Sequence, residues 1–234
     1  MATPRNQSLQ IAIDGPVASG KGDIASRLAK ELKLLYVYTG AMYRMLALAC
    51  IQKNVSTKDE KKVLEVLKTI TMDLLPPDDN QTGKTYRAIL SGTEVTERIM
   101  EPDAAAGSSD VGIFPLVRSN LVKQQQRIAE GKGVVMEGRD IGLRVLPHAQ
   151  LKIFLTASVE ERARRRLDQW KEKGIRKTFE EVLEETKARD WQDMHRTTDP
   201  LMKLPDAWEL DTTKMTQDEV VAAIQKELGK RNLL

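Results

Sequence analysis

Apolar residues in this chain gather in five short runs, separated by longer stretches with a helical period. Ile11, Ala12 and Ile13 form the first run. The others are residues 34–38 (LLYVY), Val134 with Val135 and Met136, residues 151–157 (LKIFLTA), and residues 207–210. Short apolar runs bounded by turn residues predict buried strands. Between the first two, Ile24, Leu28 and Leu32 recur at helical spacing with Ala25 and Ala29 beside them; residues 41–51 are helical by length and composition. Capping-box pairs predict further helix starts at Thr57 with Glu60, ahead of Val63, Leu64, Val66, Leu67 and Ile70, and at Ser158 with Glu161, Thr178 with Glu181 and Thr216 with Glu219. Ala104, Ala105 and Ala106 lead a helical stretch, and Phe114-Pro115 opens a helix that Gly131 closes; Gly174 breaks the one begun after Ser158. Such alternation predicts an α/β fold with a parallel sheet and helices on both faces.

One segment interrupts the alternation. Residues 71–98 carry Pro76-Pro77, an Asp-Asp-Asn-Gln turn cluster, and then KTYRAILSGTEVTERI, which reads as strand, Ser91-Gly92 turn, strand. A small antiparallel insertion is expected there.

Composition narrows the partners. Of 234 residues, 41% are hydrophobic and 30% charged, and the net charge of +3 gives no global ground for nucleic-acid or membrane binding. Neither is expected as a partner. A single cysteine, Cys50, excludes an internal disulfide and a cysteine zinc cage and reads as a small core residue. The two histidines, His148 and His195, are too few for a histidine-rich metal site; His148, after Pro147, reads as structural. Without an apolar stretch of about 18 residues or a signal-like apolar region near the start, a cytoplasmic protein is expected.

The candidate chemistry begins at residues 11–23, IAIDGPVASGKGD. Gly15, Gly20 and Lys21 match the phosphate-binding loop G-x-x-x-x-G-K-[ST], between a strand and a helix, except that Gly22 stands at the hydroxyl position and Asp23 follows. Backbone N–H groups, the helix N-terminus and a lysine charge together suit a polyphosphate. Thr39 lies at the end of the second strand with Tyr43 and Arg44 one turn on, and Glu137 to Asp140 end the third, where open parallel sheets bind ligands. Residues 161–166, ERARRR, could be a solvated helix face. Arg164, Arg165 and Arg166, however, cannot share one face, and arginines at strand ends and turns (Arg44, Arg139, Arg189, Arg196) suit several phosphates at once.

In this order, IAIDGPVASGKG, YTGAMYRMLALA, FPLVRSNLVKQQQ, GVVMEGRDIG, LKIFLTASVEERARRR and ARDWQDMHR resemble the bacterial-type cytidylate kinases, within the nucleoside monophosphate kinases. The resemblance runs over roughly residues 9–230. It implies a three-layer α/β/α P-loop kinase fold over 1–234 with a five-stranded parallel sheet, residues 71–98 as a CMP-binding insertion and residues 160–190 as an arginine-rich helical lid. The implied activity is transfer of the γ-phosphate of ATP to CMP or dCMP with Mg²⁺, in a monomer.

By the same resemblance, Gly15, Pro16, Val17, Ala18, Ser19, Gly20, Lys21, Gly22 and Asp23 hold ATP, with Arg165 and Arg166 closing over it. Thr39 (usually serine in the family), Tyr43, Arg44 and Arg139 hold the phosphate and ribose side of CMP. Ser109, Arg118, Asp140 and Arg196 read cytosine, Arg189 binds phosphate, and Asp193 takes the ribose. The catalytic set is Lys21, Arg139, Arg165, Arg166 and Arg189. No protein group is assigned to the metal, which phosphates and water would hold; Asp23 is a candidate.

Cytosine offers an amine donor beside two acceptors, which a carboxylate, a hydroxyl and arginines can match; uracil puts a carbonyl against Asp140. An unpaired buried polar group costs on the order of 1–3 kcal/mol, so CMP is expected to beat UMP by about tenfold or more. A kinase for another small acceptor, or a nucleotide-binding module without catalysis, remains as the alternative.

Overall fold

The computed structural model describes residues 8–77, 85–172 and 174–234. Its centre is a five-stranded sheet in the order β2-β6-β1-β7-β8. The strands are β1 (Gln10–Asp14), β2 (Leu35–Tyr38), β6 (Val134–Gly138), β7 (Leu151–Thr156) and β8 (Trp208–Asp211), and every pairing is parallel. These are the five apolar runs of the sequence. Alternate residues of β1 face opposite layers. Ile11 and Ile13 pack with Leu28 of α1 (Lys21–Leu32) and Ile224 of α8 (Gln217–Lys230), whereas Ala12 joins Val122 of α5 (Pro115–Ala129). Both faces of the sheet are therefore covered.

The remaining helices are α2 (Gly40–Gln52), α3 (Glu60–Leu67), α4 (Pro102–Val111), α6 (Val159–Glu172) and α7 (Phe179–His195). Helix α2 buries Met42, Met45, Leu46 and Cys50 in a second core shared with α3, α4 and a small antiparallel sheet. Cys50 is thus the core residue its surroundings predict; burial pushes its thiol up to about 11.

Several local expectations need correction. Asp59, not Thr57, caps α3, accepting from the Lys62 N–H at 3.1 Å. The Thr57 hydroxyl instead reaches Asp110 at 2.7 Å. Ser158 receives the Glu161 N–H at 3.2 Å, but the Glu161 carboxylate turns to Arg165 at 2.9 Å, so that box is half made. The boxes at Thr178 and Thr216 are complete. The small sheet has three strands, β3 (Met72–Leu75), β4 (Arg87–Leu90) and β5 (Thr93–Glu94), where the sequence suggested two. Four residues ended by Pro76-Pro77 are too short to show a period. Ser91 and Gly92 make the expected turn, with φ of 49° and 83°, but β5 stops after two residues and Arg98–Met100 form a 3₁₀ turn. The Asp-Asp-Asn-Gln cluster lies outside the described residues. His148 is exposed rather than structural.

Candidate active site

The carboxyl ends of the central strands converge. Register sets Asp14 beside Gly138 and Phe154, and Tyr38 beside Glu137. The loops leaving these ends supply the site residues, as open α/β sheets dictate.

The loop after β1 is built for a backbone cradle. A Cβ on Gly15 would lie 2.0 Å from the Leu155 carbonyl oxygen, so only glycine lets the chain pass β7. Ala18 and Gly20 take left-handed φ of 56° and 86°, and Gly20 leads into α1 as its N-cap. Such strain is held by surrounding structure and collects at functional sites. The buried Lys21 donates to the Pro16 carbonyl at 2.7 Å and to Ser19 Oγ at 3.2 Å. Burial first, then the charge of Arg139, pulls its pKa down to about 7, against Glu137, Asp193 and Asp14.

Two groups unassigned by the sequence support the loop. Asp14 accepts from the Ile141 and Gly142 N–H groups, both at 2.8 Å, and fastens the loop's start to the turn after β6; burial raises its carboxyl to about 6 despite those bonds. Arg162, on α6, donates to the Val17 carbonyl at 3.1 Å and pairs with Asp190 at 2.7 Å. Arg165 comes to the same place, donating to Thr212 Oγ1 at 3.1 Å and to the Thr212 carbonyl at 2.7 Å, with Ser19 O at 3.5 Å. Arg164 does not join them; it lies over Phe179 and pairs with Glu161 at 3.7 Å on the exposed face. Arg166 stacks over Trp170 at 4.3 Å.

Opposite the loop, the acceptor-side candidates assemble around α2, the β6 turn and α7. Thr39 donates to the Glu137 carbonyl at 2.8 Å, and Arg44 to Ile99 O at 2.9 Å. Arg139 pairs with Asp193 at 2.7 Å, Arg189 lies 3.7 Å from the same carboxylate and bonds Ser109 Oγ. Arg118, only 2% exposed, bonds Asp140 and reaches Asp199 at 3.2 Å, with the Tyr43 ring 5.7 Å from its guanidinium. Arg196 stands 3.4 Å from Asp140 and donates to the Asp199 carbonyl at 2.7 Å. Asp199 also pairs with Arg144 at 3.0 Å and has a left-handed φ of 50°. Only the Asp-Pro dipeptide marks it in sequence. His195 stands apart, exposed, its ring stacked on Trp191 at 4.7 Å.

The charge balance of the crevice favours an anion. Burial lowers the guanidinium pKa values of Arg166, Arg189 and Arg196, and neighbouring arginines lower them further. A bound phosphate relieves that repulsion. Glu137, buried beside Lys21, is raised by burial against the pull of Lys21, Arg139 and Arg44. Among the described residues no cluster of three or more His, Cys, Asp or Glu is placed to hold a metal. No helix among them is long and apolar enough to cross a membrane.

Comparison with known proteins gives the family. The cytidylate kinase family model matches residues 11–230. Cytidylate kinases of Limosilactobacillus reuteri and Caldanaerobacter subterraneus are each 46% identical over 225 residues, covering 96% of this chain and 96% of each relative. That of Bacillus subtilis is 41% identical over 226 residues, covering 97% and 99%. In fold alone, the chain is similar to the shikimate kinase of Acinetobacter baumannii solved with shikimate, at a TM-score of 0.50 and 12% identity over 97% of both chains. With most of its length inside the family model and a crevice lined by the residues described above, this chain belongs to the cytidylate kinase family.

Proposed function

We propose that this protein transfers the γ-phosphate of ATP to CMP or dCMP, giving CDP or dCDP and ADP. The observation that carries this reading is the buried Arg118–Asp140 pair, with Arg196 beside it. A carboxylate has about four lone-pair sites, so Asp140 can accept from the cytosine amine while it keeps its arginines. Arg118 and Arg196 then donate to the ring nitrogen and carbonyl, with Ser109 as a further hydroxyl.

ATP lies along Gly15 to Asp23, its phosphates on the backbone N–H groups at the start of α1, with Lys21 and Arg165 above. Arg44, Arg139, Arg189 and Thr39 hold the acceptor phosphate, and Asp193 takes the ribose. The acceptor oxygen is already an anion and needs no general base. It forms a bond to the γ-phosphorus as the bond to the β–γ bridging oxygen breaks, and that electron pair leaves on ADP. Positioning and charge neutralisation do the catalysis, and the arginines supply both.

Hydroxyls are missing at residues 22 and 23 and Asp14 is taken up by the Ile141 and Gly142 N–H groups, so Mg²⁺ would be held mainly by phosphate oxygens and water, with Glu137 and Asp23 as nearby carboxylates. When bound it neutralises charge on the triphosphate. Residues 160–190 act as the lid, with α6 ending at Glu172 and α7 starting at Phe179, and residues 71–98 as the acceptor-side insertion; residues 78–84 and 173 lie outside the described set. The test is turnover with ATP and Mg²⁺ across CMP, dCMP, UMP, AMP and GMP. Turnover of CMP and dCMP about tenfold or more above the other nucleotides is the expected result; none across the panel overturns the reading.

A further inference from the structure

Tyr38 closes the edge strand β2, and no role was assigned to it above. Its ring is fixed from two sides. Tyr86 of the small-sheet segment meets it edge-on, with centroids 5.6 Å apart and planes at 61°. On the other side lies the start of α2, where a Cβ on Gly40 would come within 2.6, 2.8 and 2.9 Å of the Cε2, Cζ and hydroxyl oxygen of Tyr38. The phenol therefore lies over the first turn of α2 beside Thr39, and a side chain at residue 40 would displace it. Tyr86 also meets Tyr36, at 6.2 Å, since residues two apart share a strand face. It thus grips the edge of the main sheet through both rings.

The Tyr38 hydroxyl makes no hydrogen bond among the described residues. It lies close enough to Arg139, Arg166 and Arg189 to interact electrostatically with each. A helix N-terminus and several arginines make a phosphate site, but every added cation also repels those present. A neutral O–H donor adds a hydrogen bond without that cost.

We infer that Tyr38 is a further phosphate-binding residue of the acceptor site, its hydroxyl donating to a non-bridging oxygen of the nucleotide monophosphate held over the α2 N-terminus. This rests on the proposed function. Because Tyr86 sets the ring, the small sheet contacts the phosphate site through Tyr38.

The test begins with wild-type turnover of CMP, since its absence overturns the functional reading and not this assignment alone. Y38F keeps the ring and removes the donor. Its kcat/KM for CMP is expected to fall about ten- to a hundredfold, the effect of one hydrogen bond to a charged group. The KM for ATP, the affinity for cytidine (which lacks the phosphate) and the thermal midpoint should stay at wild-type values. An unchanged kcat/KM overturns the inference, and so does an equal loss of CMP and cytidine binding, which would mark a packing effect.

Discussion

Arg162 and Asp190 form an ion pair at 2.7 Å that joins α6 to α7, with the two residues 6% and 8% exposed. The same guanidinium holds the Val17 carbonyl at 3.1 Å and the Ala157 carbonyl at 3.0 Å. The helix pair above the crevice and the shape of the phosphate loop are therefore set by one side chain.

Removing one partner of such a pair leaves a buried charge uncompensated. Asp190→Ala is expected to lose about 3–5 kcal/mol of stability, read from the urea midpoint. The double change Arg162→Met with Asp190→Leu should regain part of that loss, because an apolar pair avoids the desolvation cost. It should still bind ATP more weakly, since nothing then holds Val17. Recovery of both properties would show that Arg162 does not shape the loop.

Lys21 gives a pH signature. Its pKa in the empty protein is about 7, and the phosphates of ATP must raise it. Above that pH the free lysine is largely neutral, so binding takes up a proton and affinity falls as pH rises; below it the lysine is already charged and affinity is flat. Calorimetry in buffers of different ionisation enthalpy should show proton uptake at about pH 8.5 that disappears in Lys21→Met. That variant should keep its stability, having lost a desolvated cation, while transfer falls about 10²–10³-fold. Near-normal turnover in it would refute the loop assignment.

Much of this site could be read from residues alone, and the rest could not for physical reasons. Gly15, Gly20 and Lys21 carry their chemistry locally, and five apolar runs carry the sheet. Arg162 is different: in the run ERARRR only the position of α7 decides that Arg162 turns inward while Arg164 meets solvent. Asp190 and Asp199 act on residues far away in sequence, so spacing cannot show them. Asp14 looks like the last residue of a strand until the turn after β6 brings it the N–H groups of Ile141 and Gly142. The cap at Asp59 was hidden by a better-looking Thr57–Glu60 pair, because Thr57 had a distant partner in Asp110.

Base choice should depend on Asp140. Arg118 and Arg196 both face its carboxylate, and in the proposed reading the cytosine amine would complete its shell. Asp140→Ala removes the acceptor that uracil cannot satisfy, so the ratio of kcat/KM for CMP over UMP should drop by about tenfold. A ratio is insensitive to the stability this variant also loses. If it stays at the wild-type value, cytosine is read elsewhere.

Asp23 is the loop's departure from its pattern, and its effect should appear in how the protein separates metal-free from metal-bound ATP. It lies in the first turn of α1, where a carboxylate complements the helix N-terminus when no anion is bound. Burial raises its pKa, and it acts electrostatically on Glu137 and Tyr36 beside the loop. Two carboxylates near the phosphates repel metal-free ATP, with its full negative charge, more than the magnesium complex. Asp23→Thr removes one of them and restores a hydroxyl. Affinity for ATP in excess EDTA should rise about three- to tenfold, the size of one partly screened charge interaction, while affinity for the magnesium complex changes less. Fluorescence titration with and without Mg²⁺ measures both. Equal shifts in the two titrations would mean that the carboxylate of Asp23 does not oppose the triphosphate charge.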